Sequence, residues 1–265
     1  MRSFTTIDDV DDPRIAPFRD LQRPRDSTKA AHFVAEGNFL VDRLLASVYE
    51  VESVLVQRGR EERFAEVAVE TPVFVADSQL LREIVGYDFH RGVLACGIRR
   101  PFQSTGDLLF DDSQNVAVGL LGISDQENVG SILRSAAAFG IDRVLIDDRT
   151  IDPLARRSIR VSMGTVFKHQ IFRFGDTLNE IRQVQQRDVR VIASTLDQSA
   201  SPLSEFRIDQ RPMLLLMGNE SQGLSQETQS VCNERLRIEM RLETDSLNVA
   251  VAAAVMMHAI TTKSL

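Results

Sequence analysis

The alternation of apolar, strand-length segments with helical segments from residue 114 onward limits the possible fold more than any other feature. Six such apolar segments follow one another: NVAVGLLGI, DRVLID, HQIFRF, VRVIAST, PMLLLMG and RLRIEM. They are apolar almost throughout, which is typical of strands that are covered on both faces. Helical stretches such as SILRSAAAFG lie between most of them. The pattern predicts an α/β domain with a mostly parallel sheet.

The residues before this region predict a smaller α/β domain. VESVLVQ, TPVFVA and GVLACGI have the composition of strands, and the apolar spacing in HFVAEGNFLVDRLLAS predicts a helix. DSQLLREIVG predicts a helix that Asp77 opens and Gly86 closes. Residues 1 to about 28 are rich in proline and aspartate and predict an extended arm. We therefore expect an arm and a small RNA-binding domain at 1–99, a connection at 100–114 and a large domain at 115–265.

Composition narrows the class of protein. Of the 265 residues, 43% are hydrophobic and 26% are charged, which is typical of globular proteins. No apolar run is long enough to span a bilayer, so we expect no membrane partner. The aspartate-rich beginning lacks the apolar core of a secretory signal. Cys96 and Cys232 lie far apart without metal-ligand spacing, which predicts reduced thiols in a cytoplasmic protein and no metal site.

Charge is distributed unevenly along the chain. The net charge of -7 argues against a nucleic-acid ligand, because phosphates are bound mainly by Lys and Arg. Between residues 149 and 173, however, five arginines and one lysine stand against a single acid, Asp152. Such a cluster is compatible with RNA binding and equally with a solvated helix face. Its candidate RNA-binding residues are Arg156, Arg157 and Arg160.

Two polar segments lie where a parallel sheet would bind a ligand, beyond the carboxyl ends of strands. In SDQENVGSILRSAAAFG (124–140), Asn128 is a candidate helix cap and Arg134 lies off the apolar arc of the helix. Arg134 can therefore point into a cleft or simply into solvent. In MGNESQGLS (217–225), Glu220 stands between two glycines that allow a close backbone approach. Glu220 can organise a site there, or it can complement the N-terminus of the following helix.

A third segment, SLNVAVAAAVMMHAI (246–260), begins with polar residues and continues as an apolar, alanine-rich helix. Such a helix is buried and packs closely against its neighbours. Ser246 is its candidate N-cap, and Asn248 is either a second capping group or part of a binding pocket. No G-x-G-x-x-G follows any strand, and no phosphate-binding loop ends in Gly-Lys-Ser or Gly-Lys-Thr. The sequence thus disfavours nucleotide-dependent oxidoreductases and P-loop enzymes.

Taken together and in this order, ENVGSILRSAAAFG, LLLMGNESQGLS and IEMRLETDSLNVAVAAAV resemble the SpoU (TrmH-like) family of RNA ribose methyltransferases in the SPOUT superfamily. FVAEGNFLVDRLL and HRGVLACG look, more loosely, like the ribosomal-protein-like RNA-binding domain that precedes the catalytic domain in many members. The resemblance implies a deep trefoil knot, a homodimer, and methyl transfer from S-adenosylmethionine to a ribose 2′-hydroxyl of rRNA or tRNA. A base-modifying tRNA methyltransferase and a non-catalytic RNA-binding assembly factor are the alternatives.

The resemblance also implies roles for individual residues. Arg134 would be the catalytic residue. Because a guanidinium keeps its proton far above neutral pH, we expect Arg134 to position an RNA phosphate or stabilise the developing alkoxide rather than act as the base. The residues that would orient Arg134 and the substrate are Asn128, Glu220, Ser246 and Asn248.

The cofactor is expected to lie among three loops. Their expected cofactor-binding residues are Ser194, Thr195, Leu196, Met217, Gly218, Asn219, Glu220, Gly223, Ile238, Met240, Leu247 and Asn248. The family usually has Ile-Pro-Met where this chain has Glu239 between Ile238 and Met240. Since a proline would restrict the backbone that enters the loop, we expect the loop to be reshaped or the cofactor to bind less tightly.

Overall fold

The computed structural model describes residues 4–19, 21, 31–110 and 115–262, which form two compact units. The first unit is Met1–Pro101 with Leu154–Phe167, and the second is Phe102–Pro153 with Lys168–Leu265. The second unit thus includes part of the expected connection (100–114), of which 111–114 lie outside the described residues. In chain order the strands and helices are β1 (Thr5–Thr6), β2 (His32–Glu36), α1 (Asn38–Leu45), β3 (Val51–Gln57), β4 (Val73–Ala76), α2 (Ser78–Val85), β5 (Val93–Ile98), β6 (Gln103–Ser104), β7 (Val116–Leu121), α3 (Gln126–Ala138), β8 (Arg143–Ile146), α4 (Arg156–Val161), β9 (Gln170–Arg173), α5 (Thr177–Gln185), β10 (Arg190–Ser194), β11 (Ser201–Pro202), β12 (Met213–Gly218), α6 (Gln226–Val231), β13 (Glu234–Arg237) and α7 (Val249–Thr262).

The first unit has a mixed five-stranded sheet in the order β1-β4-β3-β5-β2. The expected helix in HFVAEGNFLVDRLLAS is only half present, because β2 occupies its first part and Gly37, with φ of +93°, separates it from α1. The cap prediction for α2 is confirmed, since the Asp77 carboxylate accepts hydrogen bonds from the first turn and Gly86 is left-handed.

The described part of the expected N-terminal arm is packed against this sheet rather than extended away from it. β1 pairs in parallel with β4, and Ile15 and Phe18 are fully buried in the same core. Apolar side chains therefore fix this segment against the sheet, although its proline and aspartate content predicted an extended arm. Residues 22–30 of the expected arm lie outside the described residues.

The second unit confirms the predicted α/β class with a mostly parallel sheet. Its eight strands run in the order β11-β13-β10-β12-β7-β8-β9-β6, and every pairing is parallel. All six predicted strands are present, and every residue of β7 and β12 is buried, as expected for central strands that are covered on both faces. Because β13, β10, β12, β7 and β8 are consecutive neighbours, the loops that follow them emerge at one edge of the sheet.

Two helix starts differ from the sequence prediction. The N-cap of α3 is Asp125, whose carboxylate accepts a hydrogen bond from the Glu127 N–H at 2.6 Å, and Asn128 lies inside the first turn. At α7 the side-chain oxygen of Asn248 accepts from the Ala250 N–H at 2.9 Å, so Asn248 is the capping residue and Ser246 precedes it. Both segments have two neighbouring residues able to cap, and local preference alone did not separate them.

Among the residues that the structure describes, each helix is too short or too polar to cross a membrane.

Candidate functional site

The loop after β12 is a closed turn that requires its glycines. The Asn219 side-chain oxygen accepts hydrogen bonds from the N–H groups of Ser221 (3.0 Å) and Gln222 (3.1 Å), and the Gly223 N–H donates to the Asn219 carbonyl at 2.9 Å. A Cβ on Gly218 would lie 2.3 Å from the backbone of Gly223, which is a severe overlap. Gly223 itself has φ of +66°. One glycine therefore permits a close backbone approach and the other a left-handed turn.

The carboxylate of Glu220 joins this loop to the beginning of α3. Its Oε1 accepts from the Asn128 side-chain amide at 2.9 Å and from the Asp125 N–H at 3.2 Å. Its Oε2 accepts from the Ser124 N–H at 3.3 Å and from the Ser124 hydroxyl at 3.2 Å. Glu220 thus complements the N-terminus of α3, at the exit of the neighbouring strand β7, and not that of α6, the helix that follows it in sequence.

Three side chains, one of which is Glu220, form a chain of hydrogen bonds. The Asn248 amide donates to the side-chain oxygen of Asn128 at 2.9 Å, and Asn128 donates in turn to Glu220. Partial burial of Glu220 opposes its ionisation, but the bonds from Asn128 and from backbone N–H groups outweigh this effect and lower its pKa. Glu220 is therefore ionised at neutral pH. We call Asn248, Asn128 and Glu220 the polar relay.

A cavity of about 310 Å³ lies against the same loops. Its volume is within the range of small-molecule sites, roughly 300–1,000 Å³. Every expected cofactor-binding residue except Asn248 lines it, and Ser246 lines it as well. The structure thus gathers around one cavity the set Ser194, Thr195, Leu196, Met217, Gly218, Asn219, Glu220, Gly223, Ile238, Met240, Ser246 and Leu247.

One side of this cavity was not predicted from the sequence. Val249, Ala252 and Met256 of α7 line it, although the helix was expected only to be buried. Their spacing of three and four residues places them on one helix face, directly after the polar SLN start. That face was the available signal, but an apolar helix gives no indication of which of its faces a ligand will contact.

Arg134 is not held by the polar relay. It is exposed on α3, and within the described ranges its side chain makes no hydrogen bond or ion pair. Ser246 is likewise exposed and outside the relay. Of the residues expected to orient Arg134, the structure therefore joins Asn128, Glu220 and Asn248 to one another, but not to Arg134. The catalytic role of Arg134 stays a prediction.

The candidate RNA-binding arginines belong to the first unit, on α4. Arg156 donates to the Tyr87 hydroxyl at 3.1 Å, and its guanidinium lies 5.0 Å from the centre of the Tyr87 ring. Arg157 and Arg160 are exposed. Arg156 is thus engaged within its own unit, and the RNA-binding role of all three arginines stays a prediction.

The residue in the place of the family's proline is tied down by a side-chain contact. The Ser204 hydroxyl donates to Oε2 of Glu239 at 2.7 Å. Glu239 lies between Ile238 and Met240, both of which line the cavity. A hydrogen bond from the segment after β11 therefore restrains this loop in place of a proline ring.

In the first unit, three side chains meet that sequence spacing did not connect. The Cys96 thiol donates to Glu52 at 3.3 Å, and His32 Nε2 lies 3.1 Å from the other oxygen of the same carboxylate. Burial and the neighbouring Glu52 raise the pKa of the Cys96 thiol. The thiol therefore keeps its proton and serves as a hydrogen-bond donor. Cys96 and Cys232 are both free.

Comparison with known proteins bears on this geometry. The model of the SpoU rRNA Methylase family matches residues 115–258, which is more than half of the chain and includes every loop around the cavity. The chain belongs to the SpoU rRNA methylase family. Family membership identifies it as an RNA methyltransferase.

Relatives of this SpoU methylase extend over nearly all of its length. It is 36% identical over 257 residues to an uncharacterized tRNA/rRNA methyltransferase of Mycobacterium bovis, covering 93% of this chain and 88% of the relative. It is 31% identical over 189 residues to the 23S rRNA (guanosine-2′-O-)-methyltransferase RlmB of Acinetobacter baylyi, covering 69% and 75%. The match to the Mycobacterium bovis relative thus includes the first unit as well as the family domain.

Solved structures confirm the fold of the SpoU methylase. An AdoMet-bound rRNA methyltransferase from Sinorhizobium meliloti superposes with a TM-score of 0.83 at 23% identity, covering 97% of each chain. The SpoU methyltransferase AviRb from Streptomyces viridochromogenes, in complex with AdoMet, superposes with a TM-score of 0.81 at 22% identity, covering 96% of this chain and 99% of its own. At these identities the likeness establishes the α/β architecture.

Proposed function

We propose that this SpoU methylase transfers a methyl group from S-adenosylmethionine to a ribose 2′-hydroxyl of structured RNA, either rRNA or tRNA. The observation that carries the proposal is that the loops after β10, β12 and β13 line one common cavity, with Glu220 shared between that cavity and the polar relay. The RlmB relative is a guanosine-2′-O methyltransferase, and two of the solved neighbours hold AdoMet. Both facts favour this reading of the cavity.

The lining of the cavity fits S-adenosylmethionine. Leu196, Met217, Ile238 and Leu247 offer apolar surface for a purine ring, and the loop that begins at Gly218 lets backbone N–H and C=O groups approach the ligand. The ionised Glu220 complements the positive charges of the ligand. When bound, S-adenosylmethionine supplies a methyl group that its sulfonium makes electrophilic. The protein then has to align the nucleophile and stabilise the charge left when its proton departs.

Arg134 is suited to stabilise the charge that is left when the proton of the nucleophile departs. Its guanidinium stays protonated at neutral pH, so it cannot remove the proton of the 2′-hydroxyl under ordinary conditions. It can donate hydrogen bonds to an RNA phosphate or to the developing alkoxide. Its exposure and its lack of partners within the described residues leave all of its donors open to RNA. Arg134 therefore acts on the substrate rather than on the cofactor.

The test of this role is the Arg134→Ala variant. Methylation should fall by about two to three orders of magnitude, the usual cost of one transition-state donor, while the Kd for S-adenosylmethionine, measured by calorimetry, stays nearly unchanged. Arg182→Ala is the matched control, since Arg182 is an exposed arginine on α5 and does not line the cavity. Loss of cofactor binding in Arg134→Ala, with the control intact, would show that the role is misassigned.

Product analysis separates the proposed function from its alternatives. RNA treated with enzyme and methyl-labelled cofactor is digested to nucleosides and analysed by mass spectrometry. The label should be on ribose, and label on a base would identify a base-modifying enzyme instead. Failure of the wild-type protein to bind S-adenosylmethionine would favour a non-catalytic assembly factor. Mapping ribose methylation in total RNA with and without the gene would then identify the nucleotide.

Assembly and topology complete the proposal. A homodimer would bring a second subunit to the active site, and light scattering of the purified protein measures its mass directly. The deep trefoil knot of the SPOUT superfamily would thread the α7 segment through the second unit. The first unit, with Arg156, Arg157 and Arg160, would bind the RNA substrate in the cytoplasm.

A further inference from the structure

A second arginine lies beside the loops of the site. Arg149 follows β8, and its guanidinium carbon and Nη2 lie 3.9 Å from the position that a Cβ on Gly122 would occupy. Gly122 follows β7, the neighbouring strand, and its carbonyl accepts a hydrogen bond from the Asn219 side chain at 2.7 Å. Arg149 is therefore next to a residue that directly contacts the Glu220 loop.

A buried carboxylate fixes the direction in which the Arg149 side chain points. Asp147 Oδ1 accepts from the Gly122 N–H (2.8 Å), the Thr150 N–H (2.9 Å) and the Thr150 hydroxyl (2.6 Å). Its Oδ2 accepts from Arg149 Nε at 3.1 Å, and the Asp147 side chain is only 4% exposed. A buried acid with this many donors has one preferred position, so it anchors the guanidinium instead of following its motion.

The rest of the guanidinium is free to bind a ligand. The Arg149 side chain is 73% exposed, and in the described part of the chain Nε is its only nitrogen with a hydrogen-bond partner. The two terminal nitrogens form the fork that binds phosphate oxygens in pairs. An arginine that only keeps a surface solvated has no need of a buried acid to orient it. The arrangement is therefore that of a preorganised anion-binding group.

We propose that Arg149 is an RNA phosphate-binding site next to the Glu220 loop and that Asp147 is its positioning residue. The proposal rests on the proposed function, because the phosphate is that of the RNA substrate. Binding by Arg149 would fix a nucleotide close to the methylated ribose. It would therefore lower the KM for RNA more than it raises kcat.

The test measures RNA binding without cofactor, by filter retention of unmodified 23S rRNA and tRNA transcripts at a series of salt concentrations. Arg149→Ala should weaken binding about tenfold and reduce the slope of log K against log salt by about 1, the effect of losing one phosphate contact. Arg149→Lys should keep the wild-type slope, because the charge remains, but bind more weakly, because the fork is lost. Arg182→Ala on α5 should match the wild type in both respects.

Asp147→Asn tests the positioning role. It should weaken RNA binding in the wild-type background and have little further effect in Arg149→Ala, since both changes remove the same contact. The Kd for S-adenosylmethionine, measured for each variant, reports whether the second unit is still folded. Additive effects of the two substitutions would show that Asp147 acts on structure and not through Arg149.

If the Arg149→Ala variant binds RNA with the affinity and the salt slope of the wild type, the proposal is overturned. Binding of neither transcript by the wild-type protein would overturn it as well. The binding assay does not depend on methyl transfer. If the wild-type protein binds RNA through Arg149 but does not methylate it, the proposed function is refuted and the role of Arg149 is not.

Discussion

Glu220→Gln tests whether the polar relay depends on a charge. The two carboxylate oxygens of Glu220 accept hydrogen bonds from Ser124, Asp125 and Asn128. Oε2 also accepts one from the Asn219 side-chain amide at 3.3 Å. A glutamine has one oxygen and one NH₂ group in place of the two carboxylate oxygens. Turned either way, its NH₂ group faces at least two groups that also donate. The substitution preserves shape and removes two hydrogen bonds.

The expected loss follows from those two bonds. A hydrogen bond to a charged group contributes about 1.5–3 kcal/mol. Glu220 is largely exposed, so water replaces part of the lost interaction and we halve the sum for solvent screening. The free energy of unfolding should then fall by about 1.5–3 kcal/mol. For a chain of this size that is a drop in Tm of about 3–12 °C.

Thermal unfolding at neutral pH, followed by circular dichroism, measures this drop. Glu243→Gln is the matched control, because it removes the same charge from an exposed acid of the same unit that makes no hydrogen bond within the described residues. The pKa of Glu220 is lowered in the folded protein. Its stabilisation is therefore present above the usual carboxyl pKa and is lost as the pH falls through the folded value.

The difference between wild type and Glu220→Gln should accordingly shrink in acid, where both side chains are neutral. A Glu220→Gln protein with the Tm of the Glu243→Gln control at neutral pH would refute the reasoning. So would a difference in Tm that persists unchanged at acidic pH, since the loss would then not depend on the charge.

Three further predictions concern other parts of the second unit. Gly218→Ala should abolish binding of S-adenosylmethionine in calorimetry, because its Cβ would overlap the Gly223 backbone; retained affinity would mean that the loop relaxes. Ser204→Ala should weaken the cofactor Kd a few-fold, by about 1 kcal/mol for one hydrogen bond, and should have no effect in a Glu239→Ala background. Burial lowers the pKa of His169, so the folded state binds its proton less readily than the unfolded state does. Urea denaturation should show stability falling as the pH drops below 6.5, the ordinary pKa of the residue, and His169→Gln should lose that part of the pH dependence.

The sequence was sufficient for the elements that are apolar over several residues and insufficient for short ones. The longer strands of the second unit, such as β7 and β12, were predicted because their side chains are apolar on both faces. β6 and β11 have only two residues each, too few to show any periodicity. β2 was included in a helix although the residues whose spacing predicted that helix lie in α1, after Gly37. The positive φ of Gly37, which separates β2 from α1, cannot be predicted from the apolar spacing alone.

The residues that line the cavity were predicted largely from the resemblance to a family. The hydrogen-bond partners of Asn128 could not be predicted from the sequence. Helix preference made Asn128 a cap, since an amide near a helix start usually bonds to the local backbone. In the structure its partner Glu220 is 92 residues away in sequence, and its other partner Asn248 is 120 residues away. A cap forms within one turn, but the relay requires three distant segments to meet.

The order of the strands explains why these segments meet. Glu220 follows β12, and the N–H groups that it accepts from follow β7. The two strands pair in parallel from Met213 with Val116 to Gly218 with Leu121, so both chains leave the sheet at the same level. A carboxylate placed two residues after β12 then reaches the unpaired N–H groups in front of α3, where the helix dipole also favours negative charge. A polar residue at a strand exit thus acquires its partner from sheet order and not from the sequence around it.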